Sequence, residues 1–392
     1  MLEPRLVQFA RRLGLALALL LTLIALPVSA NPTLLLDMDT LEVLKAEDAG
    51  RPWHPASLTK LMTAFVTFEQ IERGNVSLET PVILSRNAVN QAPSKSGLPV
   101  DSALSLKDAL YVLLVKSAND IAVAIAETVG GSEAEFVAMM NDAARRMGLT
   151  ATHYANPNGL HDPAQVTSAR DLAVLSLYIL QNYPQYAPIF ATEEVTLGKH
   201  RYESQNELLT SFPGTTGMKT GYVCSSGLNI VATVERDGRR VMAVLLGGAS
   251  ARDRNERTAA LILSAFSGET RGTGQNILNI ANDPGGAPMD MRPYICGAGA
   301  KEYQAAKEAE FPMGLEGQPS FLDGDVPALT YAATDLGRIR DNIPMPRPRP
   351  FHLPVYAAVE DDEIEAADLR PELEAVPVTG NIPFPVPRPP QL

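Results

Sequence analysis

The chain has 392 residues, 45% hydrophobic and 20% charged, with 45 acidic against 33 basic side chains and a formal net charge of −12. An acidic excess of that size argues against nucleic acid or an anionic lipid surface as a partner. The length exceeds that of one ordinary domain, so a sizeable core with an appendage is expected.

Residues 1–30 carry Arg5, Arg11 and Arg12, an apolar run from Leu13 to Leu26, and then Val28-Ser29-Ala30. These are the three parts of a secretory signal. The run ends at Pro27 and falls short of the roughly 20 residues that span a bilayer as a helix. Cleavage is expected to leave Asn31 as the first residue of a periplasmic protein. Losing Glu3 and the three arginines removes a net +2, so −12 becomes −14. Only Cys224 and Cys296 are present, and in an oxidising compartment they permit one internal disulfide. The alternative is two separate thiols, Cys224 buried and Cys296 exposed. No His/Cys cluster has zinc spacing and no glycine-rich loop could cradle a phosphate, so neither metal nor cofactor is expected.

In chain order, Thr33 to Met38 and Leu41 to Lys45 alternate as a hairpin about Asp39-Thr40. A helix is predicted from Ser57, with Leu61, Phe65, Phe68 and Ile71 at helical spacing. Three further helix starts have capping-box spacing: Ser105 with Asp108, Ser132 with Glu135 and Ser168 with Asp171. Asn156-Pro157-Asn158-Gly159 marks a turn within that helical block. Leu228 to Val234 and Arg240 to Leu246 then read as strands joined through Asp237-Gly238, followed by a helix from about Arg254 to Phe266. This order suggests an α+β fold, an antiparallel sheet with helices packed on it.

Beyond residue 270 the chain holds 18 of its 31 prolines and is expected to add no strands or long helices to the core. Asn342-Ile343-Pro344-Met345-Pro346-Arg347-Pro348 is echoed by Asn381-Ile382-Pro383-Phe384-Pro385-Val386-Pro387-Arg388-Pro389, a polyproline II composition suited to a spacer or a docking motif. The expected organisation is a signal peptide over 1–30, a catalytic domain over 31–270 and a proline-rich, largely disordered extension over 271–392.

Three short motifs carry chemistry. Ser57-Leu58-Thr59-Lys60 places a hydroxyl and an amine one helical turn apart, and a desolvated lysine can serve as the base a serine nucleophile needs. The start of a helix adds an electropositive end where an oxyanion would form. Sixty residues on, Ser117-Ala118-Asn119 separates two apolar helical stretches, either as a helix junction or as a hydroxyl and an amide at the edge of a cleft. A hundred residues after Asn119, Lys219-Thr220-Gly221 precedes the strand pair. A strand there could bind an extended substrate through its backbone, with a charge and a hydroxyl for an anionic group.

This ordered set resembles the motifs of penicillin-binding proteins and class A β-lactamases. From about Asn31 to Gly268 the sequence is similar to the low-molecular-mass D-alanyl-D-alanine carboxypeptidases. The resemblance is carried by His54-Pro55-Ala56-Ser57-Leu58-Thr59-Lys60-Leu61-Met62, Asn156-Pro157-Asn158-Gly159-Leu160 and Gly217-Met218-Lys219-Thr220-Gly221-Tyr222. It implies a β-lactamase/transpeptidase-like fold and an enzyme that removes the terminal D-alanine from peptidoglycan stem peptides, with β-lactam antibiotics as covalent inhibitors. It implies that Ser57 attacks the carbonyl, Lys60 takes its proton, Ser117 hands a proton to the departing amine and Asn119 holds the substrate amide. The identity of the general base stays open. The backbone N–H groups of Ser57 and Tyr222 would form the oxyanion hole, with Lys219, Thr220 and Gly221 along the substrate. The family's carboxylate-binding arginine falls on Arg254, with Arg252 its nearer competitor and Arg257 close by; the plain alternative is a solvated arginine.

Family members often end in a β-rich domain and an amphipathic membrane helix, whereas this chain ends in Arg388-Pro389-Pro390-Gln391-Leu392, which argues against membrane anchoring by that route. A class A β-lactamase needs a deacylating glutamate, and none occurs in Asn156 to Val166. An endopeptidase of cross-linked peptidoglycan would use the same catalytic residues. A non-catalytic wall-associated scaffold would not need Ser57 and Lys60 one turn apart.

Overall fold

The computed structural model describes residues 31–283 and 285–338. The expected signal peptide and both proline repeats lie outside the described residues.

Strands β1 (Thr33–Asp37) and β2 (Val43–Glu47) pair antiparallel as the predicted hairpin. Ser57 sits in a single 3₁₀ turn, Ala56–Leu58, that runs directly into helix α1 (Thr59–Glu72). Strands β3 (Pro81–Ile83) and β4 (Ser102–Ser105) form a small antiparallel pair. Three helices follow: α2 (Leu106–Val115), α3 (Asn119–Gly130) and α4 (Glu133–Arg146). After the Asn-Pro-Asn-Gly loop comes α5 (Ala169–Asn182). The caps read from sequence are made: Ser105, Ser132 and Ser168 accept from the backbone N–H of Asp108, Glu135 and Asp171.

A second hairpin, β5 (Glu194–Leu197) and β6 (His200–Glu203), precedes the long strands β7 (Thr215–Val223), β8 (Gly227–Arg236) and β9 (Arg239–Gly248). The turn between β8 and β9 is Asp237-Gly238, with φ of 51° and 75°, the left-handed pair that a tight hairpin turn requires. The helix predicted from Arg254 instead begins a turn earlier, as α6 (Ala251–Phe266), capped by Ser250 accepting from Asp253 N–H.

The main sheet has the order β2-β1-β9-β8-β7, each neighbour antiparallel. Side chains alternate across a strand, and here both faces are covered. Leu34 and Leu36 of β1 join Val231, Met242 and Val244 in the core shared with α1 to α5. Leu35 joins Ile230, Ala232 and Ala243 in a second core against Ala259 and Ile262 of α6. The result is helices, sheet and helix in three layers, with β7 as the open edge of the sheet.

The described residues after 270, up to Arg338, do form helix and strand, although the helix and the last strand there bury no residue of their own. Helix α7 (Ala300–Glu310) and strands β10 (Thr330–Ala333) and β11 (Asp335–Arg338) all lie there. The prolines are unevenly placed: none lies between Pro293 and Pro312, where AKEYQAAKEAE is made of good helix formers. Strand β10 pairs parallel with β5, and β11 pairs antiparallel with β4, so this strap closes the edges of both small sheets. Tyr331 stacks on Tyr111 and donates to Asp108 Oδ1 at 2.7 Å. Ile277 and Met291 are buried in the main core.

Cys224 and Cys296 form a disulfide, with Cα atoms 5.7 Å apart across 72 residues of chain. Closing a loop of that length restricts the unfolded chain, so replacing both cysteines with serine should cost roughly 4 kcal/mol. Urea denaturation of the two forms measures the difference. Peptide mapping without reductant should recover the linked pair.

Candidate active site

Ser57 is placed by sterics as much as by helix propensity. Gly159 has φ of +87°, and a Cβ there would lie 2.0 Å from the carbonyl oxygen of Ala56. A Cβ on Gly221 would lie 2.9 Å from Ser57 N. Glycine on both sides lets the loop and strand β7 close against the backbone of the Ser57 turn.

One turn on, Lys60 is completely buried. Its Nζ lies 2.6 Å from the carbonyl oxygen of Asn158, 2.7 Å from Asn119 Oδ1 and 3.0 Å from Ser57 Oγ. Asn119 is oriented by its own amide, which donates to Ala92 O at 2.9 Å, so its oxygen faces Lys60. Burial, and then the charge of Lys219, hold the Lys60 pKa well below the usual lysine value, against a smaller opposing pull from Asp120. A neutral amine has two N–H donors and one lone pair. The two shortest contacts are to oxygens that only accept, so they take the donors and leave the lone pair for the Ser57 hydroxyl.

The loop behind Lys60 is fixed from within. Gln165 accepts from Ala155 N–H at 2.6 Å and donates to Thr59 Oγ1 at 3.0 Å. Sequence reasoning found this loop as a turn but missed the Asn158 carbonyl as a partner of Lys60. That contact spans 98 residues, and no local pattern reports it.

A cavity of about 380 Å³ opens over Ser57, lined also by Ser117, Asn119, Thr220, Gly221, Tyr222 and Arg254. Ser117 occupies the junction of α2 and α3 with φ of +60°, a strained conformation for a residue other than glycine. Lys219 is placed differently from the sequence expectation of a side chain offered to the ligand. It is buried beneath the lining and donates to Thr220 O at 3.0 Å. Burial and the nearby charge of Arg254 lower its pKa to about 7.

The three arginines differ in their partners. Arg254 lines the cavity, buried, and donates to Gln205 O and Asn255 Oδ1, each at 2.8 Å. Burial brings its pKa down to about 10, with Glu207 opposing. Arg252 instead donates to the carbonyls of Phe311 and Met313, at 2.8 and 2.6 Å, and Arg257 pairs with Asp253 and Glu310. Tyr222 lies half exposed at the cavity mouth, its hydroxyl 3.2 Å from Cys296 Sγ.

The family model for D-alanyl-D-alanine carboxypeptidases, peptidase S11, matches residues 22–250. The chain belongs to this family. Among curated members, DacF of Bacillus subtilis is 30% identical over 243 residues, covering 61% of this chain and 62% of that one. DacD of Salmonella typhimurium is 33% identical over 242 residues, covering 60% and 62%. The chain thus spans 62% of the length of these curated S11 relatives. Among solved structures, DacD of Francisella tularensis aligns with a TM-score of 0.59 at 26% identity, over 62% of this chain and 71% of that one. Penicillin-binding protein D2 of Listeria monocytogenes, in its cefotaxime-bound form, aligns at 0.56 and 30% identity, over 62% and 98%. The expected transpeptidase-type fold is therefore the fold of this S11 chain.

Lys219 gives a pH-dependent test of this electrostatic description. Its folded pKa of about 7 lies well below the ordinary value of a lysine, so the folded state resists its protonation. The destabilisation is full below about pH 7 and fades as pH rises toward the unfolded value. Lys219→Met should therefore stabilise the protein most at and below neutral pH, with the advantage closing near pH 10. Urea midpoints of both proteins across that range measure it.

Proposed function

We propose that this chain is a serine D-alanyl-D-alanine carboxypeptidase acting on peptidoglycan stem peptides in the periplasm. The single observation that carries the reading is the 3.0 Å contact between Ser57 Oγ and a buried Lys60 amine whose other two oxygen neighbours only accept. Membership of the S11 family and the cefotaxime-bound Listeria relative support it.

In this reading Ser57 Oγ attacks the carbonyl carbon of the penultimate D-alanine while its proton passes to Lys60 Nζ. The oxyanion is met by the N–H groups of Ser57 and Tyr222. Collapse breaks the amide bond, and the departing D-alanine nitrogen takes a proton delivered through Ser117. The peptide remains as an ester on Ser57 until water hydrolyses it, returning the hydroxyl to Ser57. Asn119 and strand β7 at Thr220 and Gly221 hold the peptide. Arg254 receives the terminal carboxylate, assisted by the buried charge of Lys219 behind Thr220. A β-lactam would enter the same acylation step, its ring amide in place of the peptide bond. Arg254, a cation lining the cleft, suits a substrate with a carboxylate beside the scissile bond, as a terminal D-alanine presents.

Labelled penicillin should attach to the mature protein and not to Ser57→Ala. Arg254→Ala should lose a charge-assisted pair of roughly 1.5 to 3 kcal/mol, a fall in carboxypeptidase kcat/KM of about tenfold or more. Arg252→Ala, with its guanidinium turned to the 311–313 carbonyls, should leave that rate near wild type. Loss in Arg252→Ala with no loss in Arg254→Ala would move the carboxylate site, and labelling of Ser57→Ala would end the acyl-enzyme reading.

A further inference from the structure

Residues 290–296 lie beyond the stretch matched by the family model, yet they touch both rims of the cleft. One rim is the loop whose Asn158 carbonyl accepts from Lys60 and whose Gly159 abuts the Ser57 turn. The next residue but one, His161, is engaged at both ring nitrogens. Nδ1 lies 2.9 Å from Ser225 Oγ, and Nε2 lies 2.8 Å from Arg292 Nη2. A guanidinium can only donate, so Nε2 is unprotonated and the ring proton sits on Nδ1. The other rim is β7, where the Tyr222 hydroxyl donates to Cys296 Sγ.

The segment making these contacts is itself anchored. Cys296 is bonded to Cys224, Met291 N–H donates to Ser225 O at 3.0 Å, and the Met291 side chain is buried. We propose that the disulfide-anchored segment 290–296 is a positioning element of the active site, in which Arg292 holds His161 and thereby the loop that carries Asn158 and Gly159. The inference rests on the reading of Ser57 as the acylated residue.

A tether through an imidazole acceptor opens when that imidazole is protonated, because Nε2 then presents a proton to a cation. Burial, the edge-on ring of His54 at 5.0 Å and the charge of Arg292 hold His161 below its usual pKa, while Asp290 and Asp162 pull the other way. Asp290 also pairs with Arg292 at 3.0 Å and keeps the guanidinium in place. The tether is therefore closed at neutral pH and open in acid. Opening it would let the Asn158 carbonyl move relative to Lys60, and small displacements of positioning groups cost rate. Because the pair is exposed to solvent, the cost is modest.

The test is the acylation rate of the full mature chain with fluorescent penicillin, from about pH 4.5 to 8, a range that spans histidine titration. Arg292→Ala should slow acylation about threefold to tenfold at neutral pH. The ratio of wild-type to variant rate should fall to one in acid, where the wild-type tether has opened as well. Using the ratio cancels the titrations of Lys60 and Lys219, which both proteins share. His161→Ala should show the same deficit, and His161→Gln, which keeps an acceptor that cannot be protonated, should recover most of it. A ratio of one at every pH overturns the proposal, and so does a constant deficit across the range, which marks a merely structural contact. Labelling of Ser57→Ala would instead overturn the acyl-enzyme reading beneath it.

Discussion

Lys60 Nζ is enclosed by protein, with three oxygen neighbours within 3.0 Å and no carboxylate among them. An ammonium ion in that position would exchange water for two neutral carbonyl-type oxygens and a hydroxyl, a poor return on its desolvation. The neutral amine is favoured, and its lone pair is directed by exclusion toward Ser57. Much of the surrounding structure maintains that geometry. Asn119 is turned by Ala92, Asn158 is carried on a loop tied by Gln165, and Gly159 and Gly221 allow the backbone to close in.

Positive charge is layered behind this centre. Lys219 and Arg254 are both buried, each with a lowered pKa, and burial of two cations near one another is costly unless an anion completes the set. Glu207 already favours the charge on Arg254, and in the proposed reading a substrate carboxylate would add to it. Stability given up at a functional site in this way is the usual trade, and the two-sided core of the main sheet offsets it.

The sequence was most legible where the chemistry is local. Capping serines, the Asp237-Gly238 turn and the Ser57/Lys60 spacing each depend on neighbours within a few positions, and each is found as read. The start of α6 was missed by three residues although Ser250 and Asp253 carry the same cap spacing as the three helices recognised. What sequence could not give was the meeting of distant groups. The Asn158 carbonyl at Lys60, Lys219 beneath rather than on the cavity wall, and Arg252 turned toward Phe311 all follow from packing. The strap after residue 270 was hidden by averaging, since the prolines that dominate its composition flank α7 and β10 without entering them.

The proposed acylation requires Lys60 to act as an amine base rather than as a structural cation. Lys60→Met preserves most of the side-chain volume and removes the lone pair. Lys60→Met should fold, by circular dichroism and a cooperative melt, yet gain no penicilloyl mass on Ser57 by intact mass spectrometry. A folded Lys60→Met that acquires the full adduct at the wild-type rate would contradict it and place the base elsewhere in the cleft.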